Sequence, residues 1–116
     1  MDKVNIISEL NKIEEYWSPC VIGQVNDHAV KVGKIKGEFL WHTHDNEDEM
    51  FMVISGKLTI KFRDRDFSIE PNEFIIIPKG VEHMPVCENE VSIMLFEPKG
   101  TLNTGNVVNE RTVYLD

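Results

Sequence analysis

Cysteines and long apolar runs are scarce in this sequence, and each scarcity excludes a class of protein. Cys20 and Cys87 are the only cysteines, and they form no Cys-x-x-Cys pair, which favours a reducing compartment over a disulfide framework. We expect both thiols to be buried. The longest apolar runs, such as Phe74–Pro78, are far shorter than the roughly 18 residues of a membrane span, and Met1–Tyr16 contains no signal-peptide hydrophobic block. A cytoplasmic protein is therefore predicted.

Positive charge is also in the minority. The chain has 12 Lys and Arg against 20 Asp and Glu, which gives a formal charge of −8. No block of Lys and Arg offers phosphates a surface, so neither nucleic acid nor a membrane is an expected partner. There is no internal repeat, and at 116 residues the chain is expected to form one domain.

The spacing of the apolar residues is helical at the start of the chain and alternates afterwards. Between Val4 and Trp17 they recur every three or four positions, which predicts an amphipathic helix that Pro19 ends. From there on, alternation and regularly spaced turn signals predict an all-β sandwich or barrel. We therefore divide the chain into an N-terminal helix, 1–18, and a β-barrel, 19–116.

Most strands are expected to be half-buried. In residues 30–35 the apolar positions alternate with Lys31 and Lys34, and residues 58–62 alternate in the same way. The last residues, 100–116, are interpreted as a structured tail with a possible final strand at Thr112–Leu115.

Two strands, Met50–Ile54 and Phe74–Ile77, are apolar on both faces. Either a thick barrel core, the N-terminal helix or a second copy of the chain would cover the outer face. The sequence favours a homodimer, with an apolar patch on the outer face. The outward-facing residues of this patch would be Phe39, Trp41, Met50 and Met52.

The segment after Trp41 has the residue types of a metal site. Alternation places His42 and His44 on one side of a strand, with Cα atoms roughly 6.5–7 Å apart, so that one ion can lie between the two rings. Glu49 is in phase with the inward positions 51 and 53, whereas Asp48 is on the opposite face. Glu49 is therefore the predicted third ligand, and the other acids of this segment are expected in a solvated loop.

A lone His-x-His pair is weak evidence, because such pairs also occur at surfaces and in hydrogen-bonded cores. Here Pro78-Lys79-Gly80 forms a tight turn and places His83 at the start of another strand. Three imidazoles with one carboxylate suit Mn, Fe(II), Ni, Co, Cu or Zn and leave one or two coordination positions open. The alternative is a set of barrel-mouth polar groups without a metal, but burying them without an ion would carry a large desolvation penalty.

These residues resemble the two motifs of the cupins, a family of small metal-binding β-barrels. The first motif is a glycine, His-x-His, a glutamate after three or four residues and a glycine after six more. This sequence matches it with Gly37, His42, His44, Glu49 and Gly56. The spacing from glutamate to glycine selects Glu49 over Asp48 independently of the strand alternation.

The second cupin motif, Pro-x-Gly-x-x-His, is matched by Pro78, Gly80 and His83. The approach to His42 is one residue shorter than usual, and the two motif positions that depart from the pattern are Asn72 and Cys87, neither of which is a ligand. The resemblance spans about residues 34–96. It is closest to small single-domain cupins of the mannose-6-phosphate-isomerase-like, or cupin 2, type.

The resemblance implies a double-stranded β-helix, or jelly-roll, barrel with one divalent transition-metal ion and a small-molecule ligand or substrate. The implied metal ligands are His42, His44, Glu49 and His83. The fold kinship does not carry a substrate with it.

Other residues are given structural roles. His28 follows the Asn26-Asp27 turn and is expected to be solvated, and Trp41 is out of phase with the histidines and should face away from the metal. Lys57, Arg63 and Lys79 are expected to be surface charges.

Two functions remain open. The first is a metal-dependent enzyme, with dioxygenase-like or isomerase-like chemistry on a small oxygen-rich molecule; the second is a non-catalytic module in which the ion anchors a small ligand. The predicted inward positions near the ligands are all apolar, which leaves no second acid or base to move protons and disfavours sugar isomerisation. The enzyme is favoured. Those positions are Leu40, Phe51, Val53, Leu58 and Ile60.

Overall fold

The computed structural model describes residues 1–114, which form a jelly-roll barrel of antiparallel strands with a short N-terminal helix. The predicted fold class is confirmed. The elements are α1 (Ile6–Leu10), β1 (Cys20–Val25), β2 (His28–Glu38), β3 (Glu49–Ser55), β4 (Leu58–Phe62), β5 (Asp66–Ile69), β6 (Phe74–Ile77) and β7 (His83–Pro98). The division into 1–18 and 19–116 stays a prediction.

The long strand β7 organises the barrel. Its beginning pairs with β4, where His83 lies opposite Phe62, and its end pairs with β2 and β3, where Phe96 lies opposite Met50. Between these two parts, residues 88–90 are exposed and the register against β2 shifts. β7 bends at residues 88–90, so both ends of this strand lie near the beginning of β3, at one end of the barrel.

The N-terminal helix is shorter than the sequence predicts. Asn5 caps it by accepting a hydrogen bond from the Ser8 amide at 2.9 Å, but the helix ends at Leu10. Among the described residues of this helix only Leu10 is buried, whereas Ile7 is 56% exposed. The predicted helix Val4–Trp17 is therefore wrong in its extent, because long-range contacts hold Trp17 in a non-helical conformation. Trp17 adopts a left-handed φ of 60° and donates its amide to the carbonyl of Lys34.

The barrel interior is apolar apart from its polar end. The strands alternate, so that one side chain in two enters this core and contributes to the hydrophobic stabilisation. The buried cluster consists of Ile35, Phe51, Val53, Leu58, Ile60, Ile69, Ile77, Cys87, Val91, Ile93 and Leu95. The expectation for the two cysteines is half correct, since Cys87 is buried and Cys20 is exposed.

The outer face of the sheet has an apolar surface where β3, β6 and β7 meet. Met50 pairs with Ile76 and Phe96, and Met52 pairs with Phe74. Phe74 and Ile76 are 58% and 57% exposed. We call these side chains, together with Met94 opposite Met52, the outer apolar face.

Two of the residues predicted for this patch lie elsewhere. Phe39 is buried and stacks on Trp17 with ring centroids 4.7 Å apart, so its predicted outward position is wrong. Trp41 is half-buried beneath the guanidinium of Arg63, 3.7 Å from its ring centroid.

The C-terminal tail crosses the polar end of the barrel without forming a strand up to Tyr114. The predicted strand Thr112–Leu115 is therefore not formed at residues 112–114, and Leu115 lies outside the described residues. Asn106 holds the tail to Thr43 through two hydrogen bonds of 2.8 and 2.9 Å. Within residues 1–114, no helix has the length and apolar character that crossing a membrane requires.

Candidate metal centre

The fold brings His42, His44 and His83 together at the polar end of the barrel. His42 and His83 form an isolated antiparallel bridge, in which the two backbone N–O hydrogen bonds measure 3.1 and 3.0 Å. His44 lies two residues further along, and one nitrogen from each ring lies within 4.8 Å of the others. All three side chains are buried, at 3% exposure or less. This cluster could hold a metal ion.

Glu49, the first residue of β3, completes the group. Its Oε2 lies 3.3 Å from His44 Nε2, and its Oε1 lies 3.5 Å from His83 Nε2. Asp48 is exposed instead and accepts a hydrogen bond from the amide of Lys79 at 2.9 Å. Of these two acids, Glu49, which is in phase with the inward residues of β3, is the one whose carboxylate lies beside the rings.

Two of the rings are oriented by backbone carbonyls. His42 Nδ1 lies 3.0 Å from the oxygen of Leu40, and His83 Nδ1 lies 2.9 Å from the oxygen of Val81. Because a carbonyl only accepts, Nδ1 must carry the proton in both rings. In a neutral ring this leaves Nε2 with a free lone pair, which is the form that binds a metal.

Several buried polar atoms of the cluster have no hydrogen-bond partner among the described residues. They are His44 Nδ1, His44 Nε2, Glu49 Oε1 and His83 Nε2. Buried polar groups are rarely left unsatisfied in folded proteins, since each costs about 1–3 kcal/mol. A divalent ion among these nitrogen and oxygen atoms would satisfy three of the four, so the residues present fit such an ion.

Burial and neighbouring charges shift the acid–base behaviour of the cluster. Burial, assisted by the nearby His83, lowers the pKa of His42 to about 4, which favours the neutral ring. Burial also opposes a charge on His44, but the adjacent Glu49 outweighs it and raises the pKa of His44. Burial would raise the pKa of Glu49, yet His44 and His83 hold it well below its usual value. Glu49 is therefore an anion at neutral pH.

The structure adds two charged residues that the sequence reasoning missed. Lys31 and Glu97 are 1% and 2% exposed, and Lys31 Nζ lies 3.1 Å from Glu97 Oε2. Lys31 points into the barrel, so its predicted place on a solvated strand face is wrong, as is the expectation of a wholly apolar inner wall. Glu97 had a signal in the sequence, since it continues the alternation of the inward residues 91, 93 and 95.

A small cavity adjoins the cluster on the side of the tail. Its volume is about 40 Å³, enough for a few water-sized molecules, and Phe39, Phe51 and Leu95 are among its mostly apolar lining residues. Both His42 and Glu49 reach its wall. The cavity gives water-sized molecules room beside the His42 ring and the Glu49 carboxylate.

The N- and C-terminal segments cover the cavity. Trp17 Nε1 donates to the carbonyl of Lys36 at 2.9 Å, and Asn103 Nδ2 donates to the carbonyl of Arg111 at 2.9 Å. The Arg111 guanidinium lies 4.5 Å from the ring centroid of Phe39. Trp17 and Asn103 both line the cavity.

The remaining residues singled out from the sequence lie outside the cluster. His28 is half-buried and stacks on Phe96 at 5.1 Å, so it is less solvated than expected. Arg63 pairs with Glu82 at 2.7 Å, and Lys57 and Lys79 are exposed, as predicted for surface charges.

The comparisons with known proteins agree with this architecture. The profile of the family described as Cupin domain matches residues 29–97. The uncharacterized protein YdbB of Bacillus subtilis (strain 168) is 36% identical over 80 residues, which are 68% of this chain and 71% of that protein.

Two crystal structures are also similar. A protein of Shewanella frigidimarina that contains a cupin-2 domain is 42% identical, with a TM-score of 0.81 over 82% of this chain and 93% of that one. Protein NMB1881 of Neisseria meningitidis is 31% identical, with a TM-score of 0.77 over 84% of this chain and 99% of that one.

Proposed function

Because this chain belongs to the cupin family, we propose that it binds one divalent transition-metal ion, Mn, Fe, Ni, Co, Cu or Zn, through His42, His44, Glu49 and His83. The observation that carries the proposal is the convergence of three buried imidazoles and a carboxylate, in which nitrogens of His44 and His83 and one oxygen of Glu49 lack hydrogen-bond partners among the described residues. Three neutral nitrogens and one anionic oxygen suit an ion of borderline softness.

A bound ion of this kind would supply Lewis-acid polarisation or activation of a coordinated small molecule. The chain supplies the rest. The carbonyls of Leu40 and Val81 fix two of the rings, Glu49 provides a negative charge, and the stacked Trp17 and Phe39 help to exclude water from the cavity.

We propose further that the protein is an enzyme whose metal centre acts on a small, oxygen-rich organic molecule. The cavity supports this, since His42 and Glu49 both reach its wall and a molecule there would lie beside two of the proposed ligands. Because the lining is mostly apolar, the chemistry would rest on the ion itself, as it does when a metal ion activates a coordinated molecule for oxygenation.

The alternative function is a binding module, in which the ion anchors a small molecule without turnover. It is supported by the cavity wall, where Lys34 is the one ionisable residue besides the predicted ligands among the described residues. A wall whose one ionisable side chain besides the predicted ligands is a lysine, among the described residues, offers few groups that could transfer protons.

The experiment that separates these functions begins with untagged protein, because a histidine tag would itself bind metal. Elemental analysis identifies the ion, and His83→Ala should lower its stoichiometry sharply while the barrel stays folded. His28→Ala is the matched control, because this histidine lies outside the cluster and should leave occupancy unchanged. Equal occupancy in both variants would remove His83 from the ligand set.

Turnover is then measured as oxygen consumption with a panel of vicinal dicarbonyl and catechol-like compounds, on protein loaded with each metal in turn. Oxygen consumption by the wild type that is lost in the His83→Ala variant would support the enzyme function. Tight binding of a compound without turnover under any of the metals would favour the module.

We also propose that the protein is a homodimer in which the outer apolar face of one copy packs on that of the other. Six apolar side chains adjoin across three paired strands, and a two-fold axis would bring the same face of both copies together. A cytoplasmic location stays a prediction.

A further inference from the structure

The ion pair between Lys31 and Glu97 is unusual because both groups are fully buried inside the barrel. The Lys31 ammonium also donates to the carbonyl of Thr101 at 3.2 Å, while Glu97 Oε1 has no hydrogen-bond partner among the described residues. A buried ion pair is weak evidence of stabilisation, since apolar residues of similar volume often serve equally well. Its presence calls for a role that apolar residues could not fill.

The strand register directs this pair toward the candidate metal centre. Ala29 lies opposite Glu97 on one side, and on the other side Met50 lies opposite Phe96. One step further in the same antiparallel register places Glu49 opposite Glu97. Both side chains are buried, at 3% and 2% exposure, so the two carboxyl groups are neighbours inside the barrel.

The pair does not reach the cavity. Glu49 lines the cavity wall, whereas neither Lys31 nor Glu97 does. Glu49 therefore links the pair to the cavity wall. A carboxylate ligand that is held by a neighbouring group loses less freedom when it binds an ion.

We propose that Lys31 and Glu97 are positioning residues that hold the Glu49 carboxylate in the orientation in which it ligates the metal. Lys31 anchors Glu97 through their ion pair, and the Glu97 side chain lies beside Glu49 and restricts the rotation of its carboxylate. This inference rests on the proposed metal centre. It predicts that metal affinity depends on two residues that touch neither the ion nor the cavity.

The test uses Co²⁺ alone, added to untagged full-length protein, with affinity measured by chelator competition and the ligand field by visible absorption. Glu97→Gln should weaken Co²⁺ binding about 10–100-fold, which is the usual effect of replacing a residue that orients a metal ligand. It should also change the absorption spectrum. Thermal unfolding of the metal-free protein checks that each variant is folded. The matched control is the exposed pair Lys12 and Glu9, 3.3 Å apart, whose Lys12→Met and Glu9→Gln variants should bind Co²⁺ as the wild type does.

A second variant covers the case in which Glu97→Gln fails to fold. Lys31→Met combined with Glu97→Leu removes both charges, which avoids an unpaired buried ion and should leave the barrel folded. It should show the same loss of affinity. Wild-type affinity and spectrum in a folded Glu97→Gln or double variant would overturn this inference alone, whereas a wild type that takes up no ion would overturn the proposed metal centre and this inference with it.

Discussion

The three clustered histidines lie in different environments, and at His42 burial decides the direction in which the pKa shifts. Its pKa falls to about 4, below the 6.5 of an exposed histidine, so the unfolded chain takes up a proton at this residue before the folded chain does. The neutral ring therefore contributes stability above pH 6.5 that is lost as the pH falls toward 4. A shift of this size corresponds to roughly 3 kcal/mol at most.

The predicted pH dependence concerns the metal-free protein. Between pH 7 and pH 5, His42→Gln should lose less unfolding free energy than the wild type, because glutamine has no proton to take up. Denaturant unfolding of both proteins in the presence of a chelator measures this. The comparison between the two proteins is needed because the raised pKa of His44 changes stability in the opposite direction. An equal loss in both proteins would contradict the assigned burial effect.

Local rules singled out the cluster residues. His42 and His44 are two residues apart, Glu49 is in phase with the inward residues of β3, and a tight turn precedes His83. The bridge that brings His83 to His42 is a long-range contact, which local rules do not give. Lys31 could not be placed in this way. Alternation assigns the residues of a strand to two faces, but it does not say which face is inside when valines occupy one face and a lysine the other. The partner that makes a buried Lys31 tolerable is Glu97, which is 66 residues away in the sequence.

At the level of elements, the tail acts as a cover for the candidate metal centre. Gly105 packs directly against the backbone between His42 and His44, where a Cβ would overlap the carbonyl oxygen of Thr43 and contact the His42 ring at 3.1 Å. The tail can approach the histidine segment this closely only because residue 105 has no side chain.

We predict that Gly105→Ala displaces the tail. The matched control is Gly37→Ala, since Gly37 also has a positive φ, of 84° against 57° for Gly105, but has open space where the Cβ would lie. Both variants should lose about 1 kcal/mol from the strained backbone, and Gly105→Ala should lose a further 1–3 kcal/mol from the overlap. Thermal unfolding measures the loss, and hydrogen exchange at the Asn106 amide reports on the tail. Equal losses, with unchanged exchange at Asn106, would show that the tail is not packed as described.

The N-terminal helix shows the limit of periodicity as a signal. The apolar spacing over Val4–Trp17 fits a helix, but Trp17 is bound instead to β2 through its amide and its indole nitrogen. A helix continued to Trp17 could not make these contacts. Long-range packing thus overrides a local preference that is worth only tenths of a kcal/mol per residue.

At the level of the whole molecule, the proposed homodimer depends on the outer apolar face. Phe74→Ser combined with Ile76→Thr should shift the protein from dimer to monomer, because it removes the two most exposed side chains of that face. Light scattering coupled to size-exclusion chromatography measures the mass. Val108→Thr is the control, since this valine is 65% exposed but lies in the tail, and it should remain dimeric. A wild-type protein that is monomeric at micromolar concentration would contradict the proposed interface.

The proposed metal centre joins four side chains from separate parts of the chain around one ion. Anomalous diffraction from crystals of untagged protein soaked in a zinc salt tests whether they bind it. We expect a single strong peak inside the barrel, about 2.0–2.2 Å from a nitrogen of His42, His44 and His83 and from an oxygen of Glu49. A barrel without an anomalous peak, or with a peak that touches none of these four residues, would contradict it.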